Sequence, residues 1–275
     1  MLRSIKDIEG YAIGAAEGVI GHVKDLYFDD EAWTVRYFVV DAGGWLSNRK
    51  VLVTPLAVGK PGTTEKVLPV SLTWEQVKNS PDIDTDKPVS RQHEIEYLGY
   101  YGYPLYWGGG EFWGEGIYPG SMLPGRGYDR AQSSATGPSD VLAPAETQLE
   151  SHADIHLRSC QTVMRYNVHA SDGDIGHVHG MLVDDETWSI RYLVVNTSNW
   201  WLGHKVLVAP QWIRSVSWLE ATVSVDLTRQ AVKDSPPYMH TAALDRQQET
   251  GLYAHYGRRS YWADDPKRDT DISRI

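Results

Sequence analysis

The chain has a single cysteine, Cys160, in 275 residues. No intrachain disulfide can form, and no Cys-x-x-Cys metal or redox pair exists. Phenylalanine is also scarce, with 3 against 11 tryptophans and 16 tyrosines. The aromatic bulk is therefore amphipathic, suited to rings with one end in a core and the other at water. No run of Lys or Arg occurs, and the formal net charge is −10. This argues against a nucleic-acid partner, whose phosphates need concentrated cations, and disfavours simple electrostatic docking on anionic lipid. The apolar runs are short, far below the ~20 residues of a membrane span. Met1 to Asp7 lacks the apolar stretch of a signal peptide. No Gly-rich phosphate loop, nucleophile elbow or catalytic dyad is present. These absences lead to the expectation of a soluble cytoplasmic protein that is not an enzyme and holds no cofactor or metal.

What the sequence does contain is a repeat. Ile20-Gly21-His22-Val23 returns as Ile175-Gly176-His177-Val178, a shift of 155 residues (176 − 21). Without a gap, Asp29-Asp30-Glu31 matches Asp184-Asp185-Glu186, and Trp33 matches Trp188. Arg36-Tyr37 matches Arg191-Tyr192, and Lys50-Val51-Leu52-Val53 matches Lys205-Val206-Leu207-Val208. Leu2-Arg3-Ser4 returns as Leu157-Arg158-Ser159, Ser80-Pro81 as Ser235-Pro236, Arg91-Gln92 as Arg246-Gln247, and Trp107 as Trp262. A repeat of this length sets the domain organisation. The chain is accordingly divided into a first domain at 1–107, a linker at 108–154 and a second domain at 155–275. The linker opens rich in Gly and aromatics and ends rich in Ser, Ala and Pro.

Within one copy, Val19 to Phe28 mixes β-formers with polar residues, and Gly21 marks a bend or a close backbone approach. Asp29-Asp30-Glu31-Ala32 supplies a turn. Trp33 to Val40 reads as a strand, apolar on both parities near its end. Lys50 to Val53 and Val67 to Val70 are further strands, and Pro55 ends or edges the first of these. Thr73 with Gln76 forms a capping box for a short helix, and Asp245 with Gln248 another. A helix near Arg91 to Tyr101 places Tyr97, Tyr100 and Tyr101 on one face. Short strands with Gly and Asp punctuation indicate a small barrel or sandwich.

Asp7-Ile8-Glu9-Gly10-Tyr11, Glu17-Gly18-Val19-Ile20-Gly21-His22-Val23, Arg36-Tyr37-Phe38-Val39-Val40-Asp41 and Lys50-Val51-Leu52-Val53-Thr54-Pro55 together resemble the PRC-barrel family. The second half carries the same signature at Asp172 to Val178 and Arg191 to Asn196. The resemblance implies a mainly β protein with short helices: two tandem antiparallel β-barrels, each with a helical C-terminal extension. Relatives include the cytoplasmic barrel of the photosynthetic reaction-centre H subunit and the C-terminal barrel of the ribosome maturation factor RimM. It implies an assembly module with a protein partner. A peripheral association with the inner membrane or with electron transport is the alternative, and a homodimer is compatible with either.

Candidate site residues divide into two groups. Tyr97, Tyr100, Tyr101, Trp107, Trp113, Trp200 and Trp201 would form an apolar interaction surface, or else contact between the two barrels. His22, His177, Arg36 and Arg191 are polar positions that recur. The histidines are read as supporting a shared turn rather than a metal, for want of a second ligand at metal spacing. The arginines either grip a partner's anion or form cross-strand ion pairs, and the ion pair is preferred. His152 and His156 are four apart around the linker's end. Asp82, Asp84 and Asp86 have no acidic counterparts in the second copy. His93-Glu94-Ile95-Glu96-Tyr97 misses the zinc-protease motif at its last position.

Overall fold

The computed structural model describes residues 1–46, 49–60, 66–81, 89–107, 156–197, 204–239 and 244–263. The chain forms two units: the first is Met1, Arg3–Val163 and Met181–Arg191, the second Leu2, Met164–Gly180 and Tyr192–Ile275. The architecture is mainly β with short helices, as the strand-and-turn pattern predicts.

One sheet is built from β2 (Ala12–Ala15), β3 (Gly18–Asp29), β4 (Thr34–Asp41), β5 (Lys50–Val53) and β6 (Val67–Pro69) in the order β5-β4-β3-β2-β6. A further strand, β7 (Leu157–Ser159), pairs with β3. The other sheet runs β11 (Lys205–Val208), β10 (Ile190–Asn196), β9 (Gly173–Asp184), β8 (Asn167–Ala170), β13 (Thr222–Val225), β12 (Ile213–Ser217), with β1 (Leu2–Ser4) beside β9. The helices are α1 (Ile5–Ile8), α2 (Trp74–Lys78), α3 (Arg91–Tyr101), α4 (Cys160–Val163), α5 (Arg229–Lys233) and α6 (Arg246–His255).

The long hairpins follow from local chemistry. Strand β4 lies between β3 and β5, and Thr34 to Val40 are all buried, which accounts for its apolar character on both parities. At the β3–β4 turn the Asp29 carboxylate accepts the amides of Glu31 (2.9 Å) and Ala32 (3.0 Å). The chain then passes through a left-handed Trp33 at φ 49°. At the β9–β10 turn, Asp184 accepts the amide of Glu186 (3.1 Å), and Trp188 has φ 58°. A non-glycine residue pays a steric penalty at such a φ. Ring packing at 5.2 Å against Phe28 accompanies it at Trp33.

The expectation of all-antiparallel pairing needs correction. Strand β6 lies parallel to β2 (Ala12↔Val67, Ile13↔Leu68), and β13 lies parallel to β8 (Val168↔Val223). Among the described residues, each hydrogen-bonded path is an open one. The physical reason is the crossover. After β5 the chain enters a 3-10 turn at Pro55–Ala57, capped by Thr54, and travels back to run beside β2 in the same sense. Parallel pairing always requires such a crossover.

The helix ends match their sequence signals. Thr73/Gln76 and Asp245/Gln248 are complete capping boxes. Ser90 caps α3 through the His93 amide, and the left-handed Gly102 ends it.

Gly21 is a close-approach position, where a Cβ would overlap the Asp41 carbonyl. Gly176 has the same relation to Asn196, at φ 137°. Replacing Gly21 with alanine should force β3 and β4 apart. The expected loss is about 2–3 kcal/mol, read as a lower urea midpoint at unchanged m-value.

Candidate functional site

Strand β3 is longer than its partner β2, which covers only its beginning. The outer end is completed by β7, in the register Tyr27↔Ser159, Phe28↔Arg158, Asp29↔Leu157. This is strand addition to an open edge, in which main-chain bonds hold the strand and side chains select it. The selecting side chains are acidic. Arg158 Nε donates to Asp30 at 2.8 Å, and the Ser159 hydroxyl donates to Asp25 at 2.5 Å. The amide of Gln161 donates to the same Asp25 carboxylate at 3.2 Å. The Asp30 amide donates to the His156 carbonyl at 3.0 Å, extending the ladder by one bond. Helix α4 begins directly after β7 and buries Cys160 and Val163. Burial, and then Asp25 and Glu9, push the Cys160 thiol up, so it remains an unreactive core residue.

An equivalent contact lies elsewhere in the first unit. Arg3 Nε donates to Asp185 at 2.7 Å, and the Asp185 amide donates to the Met1 carbonyl at 3.0 Å. The two left-handed tryptophans are linked reciprocally: Val35 N–H donates to the Trp188 carbonyl (2.9 Å), and Ile190 N–H to the Trp33 carbonyl (2.7 Å).

Behind the docked strand lies a buried polar cluster. Glu94 on α3 has no exposed surface. Its carboxylate accepts the Tyr106 hydroxyl at 2.7 Å and lies 2.7 Å from His156 Nε2 and 3.9 Å from Arg91. The Tyr106 oxygen is also 2.9 Å from His156 Nε2. Since the Tyr106 proton points to Glu94, Nε2 is the donor to the Tyr106 oxygen, and it meets Glu94 as a close charge contact. The Arg36 guanidinium stacks over the Tyr106 ring at 4.0 Å and pairs with Asp29 at 3.3 Å. Burial first, and Glu94 second, hold the Tyr37 and Tyr106 hydroxyls far above the ordinary phenol range. The second unit has its own buried carboxylate, Glu249. It accepts the hydroxyls of Tyr192 (2.7 Å) and Tyr261 (3.0 Å) and pairs with Arg246 at 3.0 Å.

Arg36 is 3% exposed and Arg191 lies 3.6 Å from Asp184. Both arginines thus form the cross-strand pairs preferred from sequence, rather than reaching out to a partner. His22 is exposed beside Asp41 and lines a depression of about 290 Å³ with Lys24. His177 is half-buried opposite Asn167. Among the described residues, no three His, Cys, Asp or Glu side chains converge as a metal site.

The tyrosine face of α3 needs correction, because it turns inward. Tyr97 is 2% exposed, and its hydroxyl donates to the Leu52 carbonyl at 2.9 Å. Tyr101 packs on Tyr97 at 4.9 Å, and burial pushes its hydroxyl up to about 12. Only Tyr100 stays open, at 42%, while its hydroxyl donates to Gln76. Trp107 is half-buried under Arg91, 4.4 Å from its ring. Trp113, Trp200 and Trp201 lie outside the described residues, as do Asp82, Asp84, Asp86 and His152.

Sequence reasoning missed Asp25, Tyr106, His156 and Arg158 as site residues, and met Glu94 as part of a failed zinc motif and of the tail pattern that resembles other PRC-barrel proteins, not as a buried charge. A signal was available: Glu94 and Glu249, like Tyr106 and Tyr261, stand at the same shift as the other repeated positions. His156, taken with His152 as linker, is instead buried against Glu94.

Residues 2–75 match the PRC-barrel domain family, from β1 into α2. A protein of Deinococcus radiodurans, named only as an uncharacterized protein, is 36% identical over 81 residues. That match covers 30% of this chain and 29% of the relative, so the chain spans under a third of that protein's length.

Substitutions at two positions test this site. Burial raises Asp25 above the ordinary aspartate value, despite the opposing bonds from Ser159, Gln161 and Leu26. A raised folded-state value favours the protonated form. Its contribution is therefore present at acid pH and is lost as pH rises from the ordinary carboxylate range through the raised value. Asp25→Asn should match wild type near pH 3.5 and exceed it in stability at pH 7, as read from paired urea midpoints. Glu94→Ala, by contrast, strips the partners of a buried charge. It should cost about 3–5 kcal/mol, with Glu94→Gln recovering part of the loss in the same assay.

Proposed function

We propose, with the PRC-barrel domain of residues 2–75 as the premise, that this chain is a non-enzymatic assembly protein. Its second half, 155–275, is a further barrel-like module of the same kind, arisen by tandem duplication. The observation that carries this reading is the edge of β3, which accepts a Leu-Arg-Ser strand through main-chain bonds and reads it with Asp30 and Asp25. An edge that takes up a short strand is the working part of many protein-recognition modules. Supporting it, Arg36, Arg191 and Glu94 are engaged in buried or half-buried pairs. Such groups hold neighbours in place rather than face a substrate. The role is binding and scaffolding of a protein partner, without nucleic acid.

A peripheral place beside a photosynthetic reaction centre or another membrane electron-transfer complex is the alternative form of the same reading. No helix among the described residues is long and apolar enough to cross a membrane, so that form would rest on surface contact. Chemical crosslinking in native lysate, followed by affinity capture and flotation, tests both. The assembly reading expects crosslinks to a second polypeptide in the non-floating fraction, whereas co-flotation with a membrane complex selects the peripheral form. Self-crosslinks alone, accompanied by robust substrate turnover, would overturn both.

A further inference from the structure

The second unit contains a cavity of about 490 Å³ between β11 and α6, walled by Leu207, Leu244, Gly251, Leu252 and the Pro236–Met239 segment. Ligand pockets run from about 300 to 1,000 Å³. The first unit shows what such a space looks like when filled. There Leu52, Val89 and Tyr97 belong to one packed core cluster, and the Tyr97 hydroxyl donates to the Leu52 carbonyl at 2.9 Å. The residues standing 155 further on are Leu207, Leu244 and Leu252, and all three line the cavity.

The difference comes from a swap of neighbours. Tyr97-Leu98 on α3 becomes Leu252-Tyr253 on α6. A step of one residue rotates a side chain by roughly 100° about a helix, so the ring moves to another face. Tyr253 packs edge-on against Trp212 at 5.3 Å, and Trp212 occupies the position of Ala57. The aromatic mass has thus shifted to the Trp212 side, and Trp212 is not a wall of the cavity. Beside Leu207, a ring and a hydroxyl have been replaced by an isobutyl group. Glu96 has likewise become Gly251, where an added Cβ would meet nothing within 4 Å.

We infer that this cavity is a binding site for a small substituted phenol. Its ring takes the place that Tyr97 fills in the first unit, and its hydroxyl donates to the Leu207 carbonyl. Pro236, Pro237 and the adaptable Met239 cover the ring's substituents. The site stands independently of the assembly role.

The probe is p-cresol, the side chain of tyrosine as a free molecule, titrated into the full-length protein and followed by leucine and methionine methyl NMR. Binding with Kd on the order of 1 mM or tighter is expected for a ligand of this size. The shifts should centre on Leu207, Leu244, Leu252 and Met239, and toluene should bind several-fold more weakly for lack of the hydroxyl. Leu252→Tyr, which restores the residue of the first half, should weaken p-cresol at least tenfold. Gly251→Glu places a side chain at the open wall and should also weaken it. Its added Cβ has no clash, so this variant decides the matter if Leu252→Tyr fails to fold. The inference is overturned by no binding at 10 mM, by toluene binding as well as p-cresol, by shifts centred elsewhere, or by folded variants that bind like wild type.

Discussion

Glu94 sits on α3 with none of its side chain exposed, and withdrawing a carboxylate from water costs several kcal/mol unless donors replace the solvent. The groups that surround it converge from distant parts of the chain. Arg91 comes from one turn earlier, Tyr106 from the segment after the helix, and His156 from the residue preceding β7. Arg36 then covers the Tyr106 ring from β4 while pairing with Asp29. Because His156 also accepts the Asp30 amide through its carbonyl, the position of its ring and the register of β7 are linked. The docking edge of the first unit therefore depends on satisfying one buried charge. Shifting β7 by a residue would break the ladder and leave Glu94 short of a partner.

The second unit meets the same requirement with other donors. Glu249 is served by two phenols, Tyr192 and Tyr261, and by Arg246, whose guanidinium stacks on Trp262 at 4.1 Å. Burial first and Glu249 second push the Tyr192 hydroxyl up, keeping it protonated as a donor. Each unit thus buries a carboxylate on a helix, with different groups around it. What the two units share is a tyrosine hydroxyl bonded to the carboxylate and an arginine one turn earlier beside it.

Much of the local structure was legible in the sequence, because the physics involved is local. The capping boxes, the Asp29 turn, the close approach at Gly21 and the pairing of Arg36 all rest on groups a few residues apart or on adjacent strands. The rest depends on distance or direction. An i, i+3, i+4 pattern says that Tyr97, Tyr100 and Tyr101 share a side of the helix, but not whether that side meets water or core. The parallel pairing of β6 with β2 has no signature in either strand. Strand β7 is three residues long, too short for a periodicity to emerge. The meeting of His156 with Glu94 depends on how segments far apart in the chain return to one place, which composition does not encode.

The repeat also changes what counts as informative. Positions that recur are tied to the fold: Gly21 and Gly176 because no Cβ fits, Asp29 with Arg36 and Asp184 with Arg191 because each pair holds its two strands' charges together inside the structure. A filter that keeps only recurring residues therefore selects scaffolding. Asp25, which reads Ser159 and Gln161, has Gly180 at its counterpart. The exchange of Tyr97-Leu98 for Leu252-Tyr253, with Ala57 giving way to Trp212, moves an aromatic ring without losing it. A core tolerates such swaps when total volume is kept, and the space they leave is free to acquire a ligand.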